Sequence, residues 1–331
     1  MSFNAIMLEK DEVSVFSNSL KTITKQQLLQ QQGDTLVQIH YSSINYKDAL
    51  ALTNKSPIVR QWPMVPGIDG VGTVIESHSG RYQAGDLVIL NGWGCGETHW
   101  GCLAQYAYLK SDWLIPLPNN LTTYQSMAMG TAGYTAALCV KRIIDFGIKP
   151  QDGKILVTGA SGGVGSVASA LLSKLGFNVT ASTGKISDKE YLSKLGAVEI
   201  IDSQSLKTLN KPLQKELWSA AIDVVGSNTL ANICAQTRYS GIVVCCGLAQ
   251  GMDLPATVAP FILRGVTLSG VDSVMASYDK RVAAWQLIAE NMDEQLYTHI
   301  AKTITLDQCS EIANKMIAGE IKGRFVVDVN K

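Results

Sequence analysis

Hydrophobic and polar positions recur with two different periods along this chain, and the change of period divides it. Over residues 1–125 the apolar runs are short. Leu36 to Tyr41 alternates as a half-buried strand does, and Val71 to Ile75 and Leu87 to Leu90 are apolar runs bounded by Gly, Asp and Ser. This pattern predicts a compact, β-barrel-like unit with Gly- and Pro-rich turns and long loops. Near residue 125 the character changes. Gln125 to Phe146 is apolar, rich in Ala and Met, and long enough for a helix or two. From Lys154 onward, strand and helix patterns alternate. Ile155–Thr158, Asn178–Ser182, Glu199–Ile201, Ala221–Val225 and Ile242–Cys246 are candidate strands, and Val266–Gly270 is a candidate sixth. Gly163–Leu175, Asp188–Leu195 and Thr229–Thr237 are candidate helices. Such alternation means βαβ units and a parallel sheet covered on both faces. A long amphipathic stretch follows at Asp279 to Glu290. GRFVVDV, residues 323–329, reads as a last strand that is free to return to the first domain.

Composition narrows the picture without redirecting it. The 331 residues are 46% hydrophobic and 17% charged, enough apolar material for two globular cores. Lys plus Arg and Asp plus Glu are equal at 28 each, which leaves no net electrostatic footprint for nucleic acid or an anionic membrane. No uninterrupted apolar run approaches the ~18 residues of a membrane span. The N-terminal segment lacks the basic and apolar regions of a secretory signal. Seven cysteines, an odd number with no framework spacing, are expected to be reduced thiols of a cytoplasmic protein.

The strongest motif is KILVTGASGGVGSVASALLSKLG, residues 154–176. A β-branched strand runs into Gly159, then Gly162, Gly163 and Gly165, then a helix with Val167, Ala168, Leu171 and Leu172 on one side. A diphosphate must approach the backbone closely, where a Cβ would block it, and the helix N-terminus offers N–H groups and the positive end of the dipole. A dinucleotide is therefore the expected ligand, against the plainer reading of a structural strand–helix turn. Cofactor choice falls to the end of the next strand. An NAD site carries Asp or Glu there, ~20 residues on, for the ribose 2′-hydroxyl. Here Ser182, Thr183, Gly184 and Lys185 precede the first acid, Asp188. A carboxylate would repel a 2′-phosphate, whereas hydroxyls and an ammonium bind it, so the expected cofactor is NADPH. Turns at Cys245–Leu248 and Ser269–Ser273 close two later strands on the expected ligand side of the sheet.

A family resemblance enters on several segments taken together. NYKDALA, PGIDGVGTV, GWGCGETHWG, GTAGYTA, VTGASGGVGS, PFILRGV and GVDSVM occur in the order in which they occur in the quinone-oxidoreductase-like branch of the medium-chain dehydrogenases/reductases, and resemble most its acrylyl-CoA reductase group. The resemblance spans essentially the whole chain. It implies a GroES-like catalytic domain at 1–124 and 277–331 and a Rossmann NADPH-binding domain at 125–276. In the zinc-dependent alcohol dehydrogenases of this superfamily, a Cys-containing motif and a Gly-His-Glu motif carry the catalytic metal. The matching places here hold Asn45–Tyr46–Lys47–Asp48 and Gly67–Ile68–Asp69. Cys95, His99 and Cys102 fall close together, but three ligands without a fourth make a thin structural zinc site. No metal is expected.

Without a metal Lewis acid the resemblance implies hydride addition to the β-carbon of an activated double bond, most directly acrylyl-CoA to propionyl-CoA, with the developing enolate needing hydrogen-bond donors. Tyr46 is the candidate donor and cofactor neighbour, with Asn45 and Asp48 orienting it. Ser161, Gly162, Gly163 and Val164 are implied at the diphosphate, and Thr183, Gly184 and Lys185 at the 2′-phosphate. Arg238, Leu248, Ile262, Ser273 and Asn330 are further implied cofactor contacts, and Arg324 an implied anion-binding residue for the substrate. A homodimer is implied as well. Two other readings stay open: an NADPH-dependent quinone or general enone reductase, and a non-catalytic NADPH-binding or RNA-binding relative.

Overall fold

A computed structural model describes residues 1–11 and 13–331, and all but the side chain of Ile186 within that range. The chain folds into two units. One comprises Met1–Thr131, Val274–Val282 and Ala301–Lys331; the other comprises Ala132–Ser273 and Ala283–Ile300.

The first unit opens with an antiparallel hairpin of β1 (Ser2–Lys10) and β2 (Phe16–Thr24), which the short apolar pattern did not single out. Five further strands follow: β3 (Thr35–Ile44), β4 (Asp69–Ser77), β5 (Leu87–Asn91), β6 (Tyr106–Leu109) and β7 (Leu114–Pro116). β3, β4 and β5 pair antiparallel in sequence order, and β6 pairs with β3. Alternation along these strands turns Val37, Ile39, Val74 and Val88 into a core with Leu8, Leu103 and Leu109. Each such side chain contributes roughly 1.5–3 kcal/mol by its burial.

The second unit holds six strands: β8 (Lys154–Val157), β9 (Asn178–Thr183), β10 (Glu199–Asp202), β11 (Trp218–Asp223), β12 (Thr237–Cys245) and β13 (Thr267–Gly270). All are parallel, in the order β10-β9-β8-β11-β12-β13. This is a doubly wound, Rossmann-type sheet, whose strand order reverses between β8 and β11. Every residue of β11 is buried, as a strand covered on both faces requires. The helix Gly163–Lys174 buries every residue from Gly165 to Leu172, Val167, Ala168, Leu171 and Leu172 among them, as a helix enclosed on most sides does.

The chain then returns to the first unit, where β14 (Ala301–Thr305) pairs parallel with β15 (Arg324–Asp328) and β15 pairs antiparallel with β3. The last strand thus completes the first unit's sheet. Residues 283–300 differ from the sequence grouping, which put everything after 277 in the catalytic domain. The helix Glu294–Ile300 packs on the helix Gly163–Lys174, and Lys174 pairs with Asp293. Trp285, Ile288 and Leu296 are buried there, so apolar burial rather than chain order sets the boundary.

The apolar run from 125 to 146 forms the helix Thr123–Phe146, interrupted at Gly130, whose φ of 51° and ψ of −156° are not helical. No helix among the described residues is long and apolar enough to cross a membrane.

Candidate active site

Two groups of residues carry the expected chemistry, one in each unit. In the second unit, β8 delivers the chain to the glycine turn at its carboxyl end. Gly162 caps the helix Gly163–Lys174, and the first intrahelical bond runs from Ser166 N to Gly162 O at 2.9 Å. The N–H groups of the opening turn lie ahead of that bond and face outward for an anion. Gly165 is needed for packing: a Cβ there would lie 2.6 Å from Ala160 Cα, so any side chain would push the helix off the turn. Ser161 Oγ and Thr183 Oγ1 are 3.0 Å apart, and Lys185 N donates to Thr183 Oγ1 at 3.1 Å. These bonds tie the turn after β8 to the turn after β9 and pre-order both ends of a dinucleotide cradle. The residues therefore fit a dinucleotide: a bare backbone approach, a helix N-terminus, and an adjoining strand end with a hydroxyl and an ammonium in place of an acid.

Ser182 departs from its expected part. Strand alternation turns its hydroxyl inward, where it is buried without a hydrogen-bond partner among the described residues. Ser203 takes up a position the sequence reading missed. Its N–H donates to Thr183 O at 2.9 Å, and its Oγ lies 3.3 Å from where a Cβ on Gly184 would be. The signal was available in the parallel pairing of β9 with β10, which sets Asp202 beside Thr183.

The remaining implied cofactor contacts separate by position. Leu248 follows β12 and Ser273 follows β13, both at the carboxyl edge of the sheet, as expected. Arg238 does not. It stands at the start of β12, and its Nη1 donates to Asp152 O at 2.9 Å, just ahead of β8. In a parallel sheet that is the edge opposite the glycine turn. Ile262 is 72% exposed on the short helix Ala259–Arg264. That helix ends with Arg264 donating to Ala235 O at 2.8 Å and Gln214 O at 2.6 Å, again toward the amino edge. Asn330 belongs to the first unit, where its Nδ2 donates to Ile39 O at 3.1 Å and staples the C-terminus to β3.

In the first unit, Asn45 caps the helix Tyr46–Leu52. Asn45 N donates to Asp48 Oδ2 at 2.9 Å, and Ile68 N donates to Asp48 Oδ1 at 3.0 Å. Asn45 Nδ2 donates to Asp69 Oδ2 at 2.6 Å and to Asp48 Oδ2 at 3.2 Å, bridging two buried carboxylates. Asp69 accepts four more hydrogen bonds: from Ser43 Oγ at 2.6 Å, Asn91 Nδ2 at 2.6 Å, Thr131 Oγ1 at 2.6 Å and Thr131 N at 2.8 Å. The last of these caps the helical segment that restarts after Gly130. Only glycine serves at position 130, because a Cβ there would lie 2.5 Å from Asp69 Oδ2 and 2.6 Å from Ser43 Oγ, on a residue with positive φ.

Arg324 completes this cluster, and its place corrects the substrate role implied for it. It is 3% exposed. Its Nη1 donates to Asn45 Oδ1 at 2.9 Å, its Nη2 donates to Ser43 Oγ at 2.8 Å, and Asp69 Oδ2 lies 3.7 Å from Nη2. A guanidinium so enclosed cannot reach a coenzyme phosphate; it is the counter-charge of the carboxylates. Burial lowers its pKa, while Asp69 and Asp48 oppose that shift. The Asp48 carboxyl is pushed up to about 6, first by burial and then by the charge of Asp69, against the hydrogen bonds from Asn45 and Ile68.

Tyr46 stands on the rim of this buried network. It opens the helix that Asn45 caps and is 56% exposed, with no hydrogen-bond partner for its phenol among the described residues. The donor set beneath it does not fit zinc: Asn45 Oδ1 is taken by Arg324, and Asp69 by five donors. His99 does not act as a ligand with Cys95 and Cys102, since its ring nitrogens lie 2.8 Å from Trp100 O and 2.7 Å from Gln32 O. Among the described residues no group of three or more His, Cys, Asp or Glu side chains is arranged to hold a metal ion.

A chain that carries both a doubly wound nucleotide unit and a β-rich unit with this capped tyrosine falls in an oxidoreductase class. Residues 31–119 match the alcohol dehydrogenase GroES-like domain, and residues 163–290 match the zinc-binding dehydrogenase family. The chain belongs to the medium-chain dehydrogenase/reductase family, in the branch that holds acrylyl-CoA reductases and quinone-oxidoreductase-like proteins. It is 48% identical to a probable acrylyl-CoA reductase, AcuI, of Escherichia coli (strain K12), over 98% of this chain and 99% of that one. It is 44% identical to the acrylyl-CoA reductase AcuI of Ruegeria pomeroyi, over 99% of each. The crystal structure of the yhdH oxidoreductase from Salmonella enterica in complex with NADP matches with a TM-score of 0.96 at 47% identity, covering 99% of this chain and 100% of that one.

Proposed function

We propose that this chain is an NADPH-dependent reductase of a short enoyl-CoA thioester, converting acrylyl-CoA to propionyl-CoA. The observation that carries the reading is its likeness, over nearly the full length of both chains, to two proteins named acrylyl-CoA reductase. The glycine cradle joined to Thr183 and Lys185 supports NADPH as the partner. Bound NADPH supplies a hydride for the β-carbon of the conjugated thioester. Backbone N–H groups of Ser161, Gly162, Gly163 and Val164 receive the diphosphate at the helix N-terminus. Thr183, Gly184 and the Lys185 ammonium receive the 2′-phosphate, with the Ser203 hydroxyl beside them. Leu248 and Ser273, at the carboxyl ends of β12 and β13, serve the nicotinamide end. Tyr46 donates its phenolic hydrogen to the thioester carbonyl oxygen, where negative charge develops. Asn45 and Asp48 lock the first turn that carries Tyr46, and so act as positioning residues.

The test is NADPH oxidation by the purified chain with acrylyl-CoA, free enones and quinones. A higher kcat/KM for acrylyl-CoA is expected. Equal or better turnover of quinones overturns the thioester reading, and NADPH binding without turnover of any acceptor overturns the enzymatic one.

The same chain, in our reading, works as a cytoplasmic homodimer. β13 is an edge strand whose one partner among the described residues is β12, and Val258, Ile262 and Leu263 nearby in sequence are all exposed. An open edge flanked by apolar side chains suits pairing with a second copy. The seven cysteines are free thiols, as a reducing compartment keeps them. Light scattering in solution tests the dimer; a monomer mass at working concentration would refute it.

A further inference from the structure

One cluster in the first unit is left unexplained by the cradle and by the network under Tyr46. Glu97 lies in the loop between β5 and β6, with Thr98 N and His99 N both donating to Gly94 O at 2.9 and 3.2 Å. Its carboxylate bridges two cations. Oε2 pairs with Lys47 Nζ, and Oε1 lies 3.0 Å from Arg60 Nε. Arg60 N also donates to Glu97 O at 2.9 Å, which fixes the arginine's backbone to the same loop. Lys47 is the residue after Tyr46, so the cluster adjoins the helix turn that carries the candidate donor.

The balance of this cluster is uneven. One carboxylate faces two cations, which leaves a net positive charge. The Glu97 carboxylate is mostly covered, while the Arg60 side chain is 69% exposed. Glu97 approaches Arg60 most closely at Nε, and Nη1 and Nη2 make no hydrogen bond among the described residues. A guanidinium approached by a carboxylate at Nε leaves its two terminal nitrogens for two oxygens of a phosphate, the planar geometry an arginine offers. Two residues along, Trp62 carries a third cation, Lys10, whose Nζ stands 4.7 Å from the ring centroid. An exposed ion pair adds little to stability, so stability gives scant reason for this arrangement.

We propose that Arg60, oriented by Glu97 and flanked by Lys47, binds a phosphate group of the coenzyme A portion of the substrate. The inference rests on the thioester reading above and sharpens it. Quinones and simple enones carry no such anion, so this site selects the thioester by its handle rather than by its reacting end.

The experiment compares acrylyl-CoA with acrylyl-pantetheine, which keeps the thioester and lacks every phosphate. Steady-state kinetics are run on the full chain, wild type, Arg60→Ala and Arg60→Lys. The ratio of kcat/KM for acrylyl-CoA to that for acrylyl-pantetheine is expected to fall about tenfold in Arg60→Ala, a change of about 1.4 kcal/mol. Arg60→Lys should recover part of it, since charge is kept and the fork is lost. An unchanged ratio in Arg60→Ala overturns the inference and leaves the thioester reading standing. A matching rise in the KM for NADPH also overturns it, by giving Arg60 to a cofactor phosphate. No turnover of acrylyl-CoA by the wild type overturns both.

Discussion

The nucleotide cradle and the polar network under Tyr46 are opposite solutions to holding an anion. The cradle works by removing side chains. In the proposed reading its anion ligands are backbone N–H groups, and Gly165 lets the helix that offers them sit against the turn, where a Cβ would lie 2.6 Å from Ala160 Cα. The network works by adding side chains. Asp69 sits fully buried, and five hydrogen bonds plus the Arg324 guanidinium stabilise its charge. The first arrangement suits an anion from outside the chain; the second encloses its own and holds a shape. Loss of one member should therefore cost binding in the cradle and folding in the network.

The largest expected effect tests the second half of that contrast. Asp69→Ala leaves Arg324 buried without its carboxylate and should destabilise the chain by about 3–5 kcal/mol in denaturant unfolding. A loss below about 1 kcal/mol would mean the network is not a closed structural unit. Next comes the residue on its rim. Tyr46→Phe isolates the phenol and should lower kcat about 100-fold, about 2.7 kcal/mol, with thermal stability unchanged. Undiminished kcat would reduce Tyr46 to packing.

A third test uses proton linkage inside the network. The folded Asp48 carboxyl titrates at about 6, above its ordinary value, so the folded state keeps this proton longer than the unfolded chain does. Its contribution to stability is present at low pH and is lost as pH rises through about 6. Measured against Asp48→Asn, the wild type should lose about 2 kcal/mol of unfolding free energy between about pH 4.5 and about pH 7.5. A difference that is flat with pH, or that grows, contradicts the buried-carboxyl account. The smallest effect belongs to the cradle. Lys185→Glu should raise the KM for NADPH at least about tenfold relative to that for NADH, with unfolding unchanged. Equal effects on the two cofactors would remove Lys185 from the 2′-phosphate.

These two sites also differ in how far the residues alone disclose them. The cradle is contiguous. Strand, glycine turn and helix occupy residues 154–176, and the physical requirements of each part follow one another along the chain. Thr183 and Lys185 lie one crossover later, still at a distance that local periodicity can reach. The network is assembled from Ser43, Asn45, Asp48, Asp69, Asn91, Thr131 and Arg324, and no local pattern joins position 324 to position 69. Arg324 looked like a surface anion binder because an arginine beside a strand usually is one. It is buried because β15 pairs with β3 and carries it in among the carboxylates. Arg238 failed for another reason. It lay between the expected helix Thr229–Thr237 and the expected strand Ile242–Cys246, and only the parallel register shows that the start of β12, where it stands, is the edge away from the glycine turn.

By itself, the sequence determined the class of fold, the place of the glycine turn, the absence of an acid at the end of the strand that follows it, and the absence of Cys and His at the zinc-ligand positions. Each depends on residues within a few turns or strands of one another, where steric and charge requirements act directly. Tertiary structure decided the rest. It closed the first unit's sheet with the last strand, moved residues 283–300 into the nucleotide unit, turned Ser182 inward, and made Arg324 a buried counter-charge. It also brought Glu97 against Lys47 and Arg60. Those outcomes depend on strand register and on which apolar faces find each other, and both are settled by packing between segments that the chain keeps far apart.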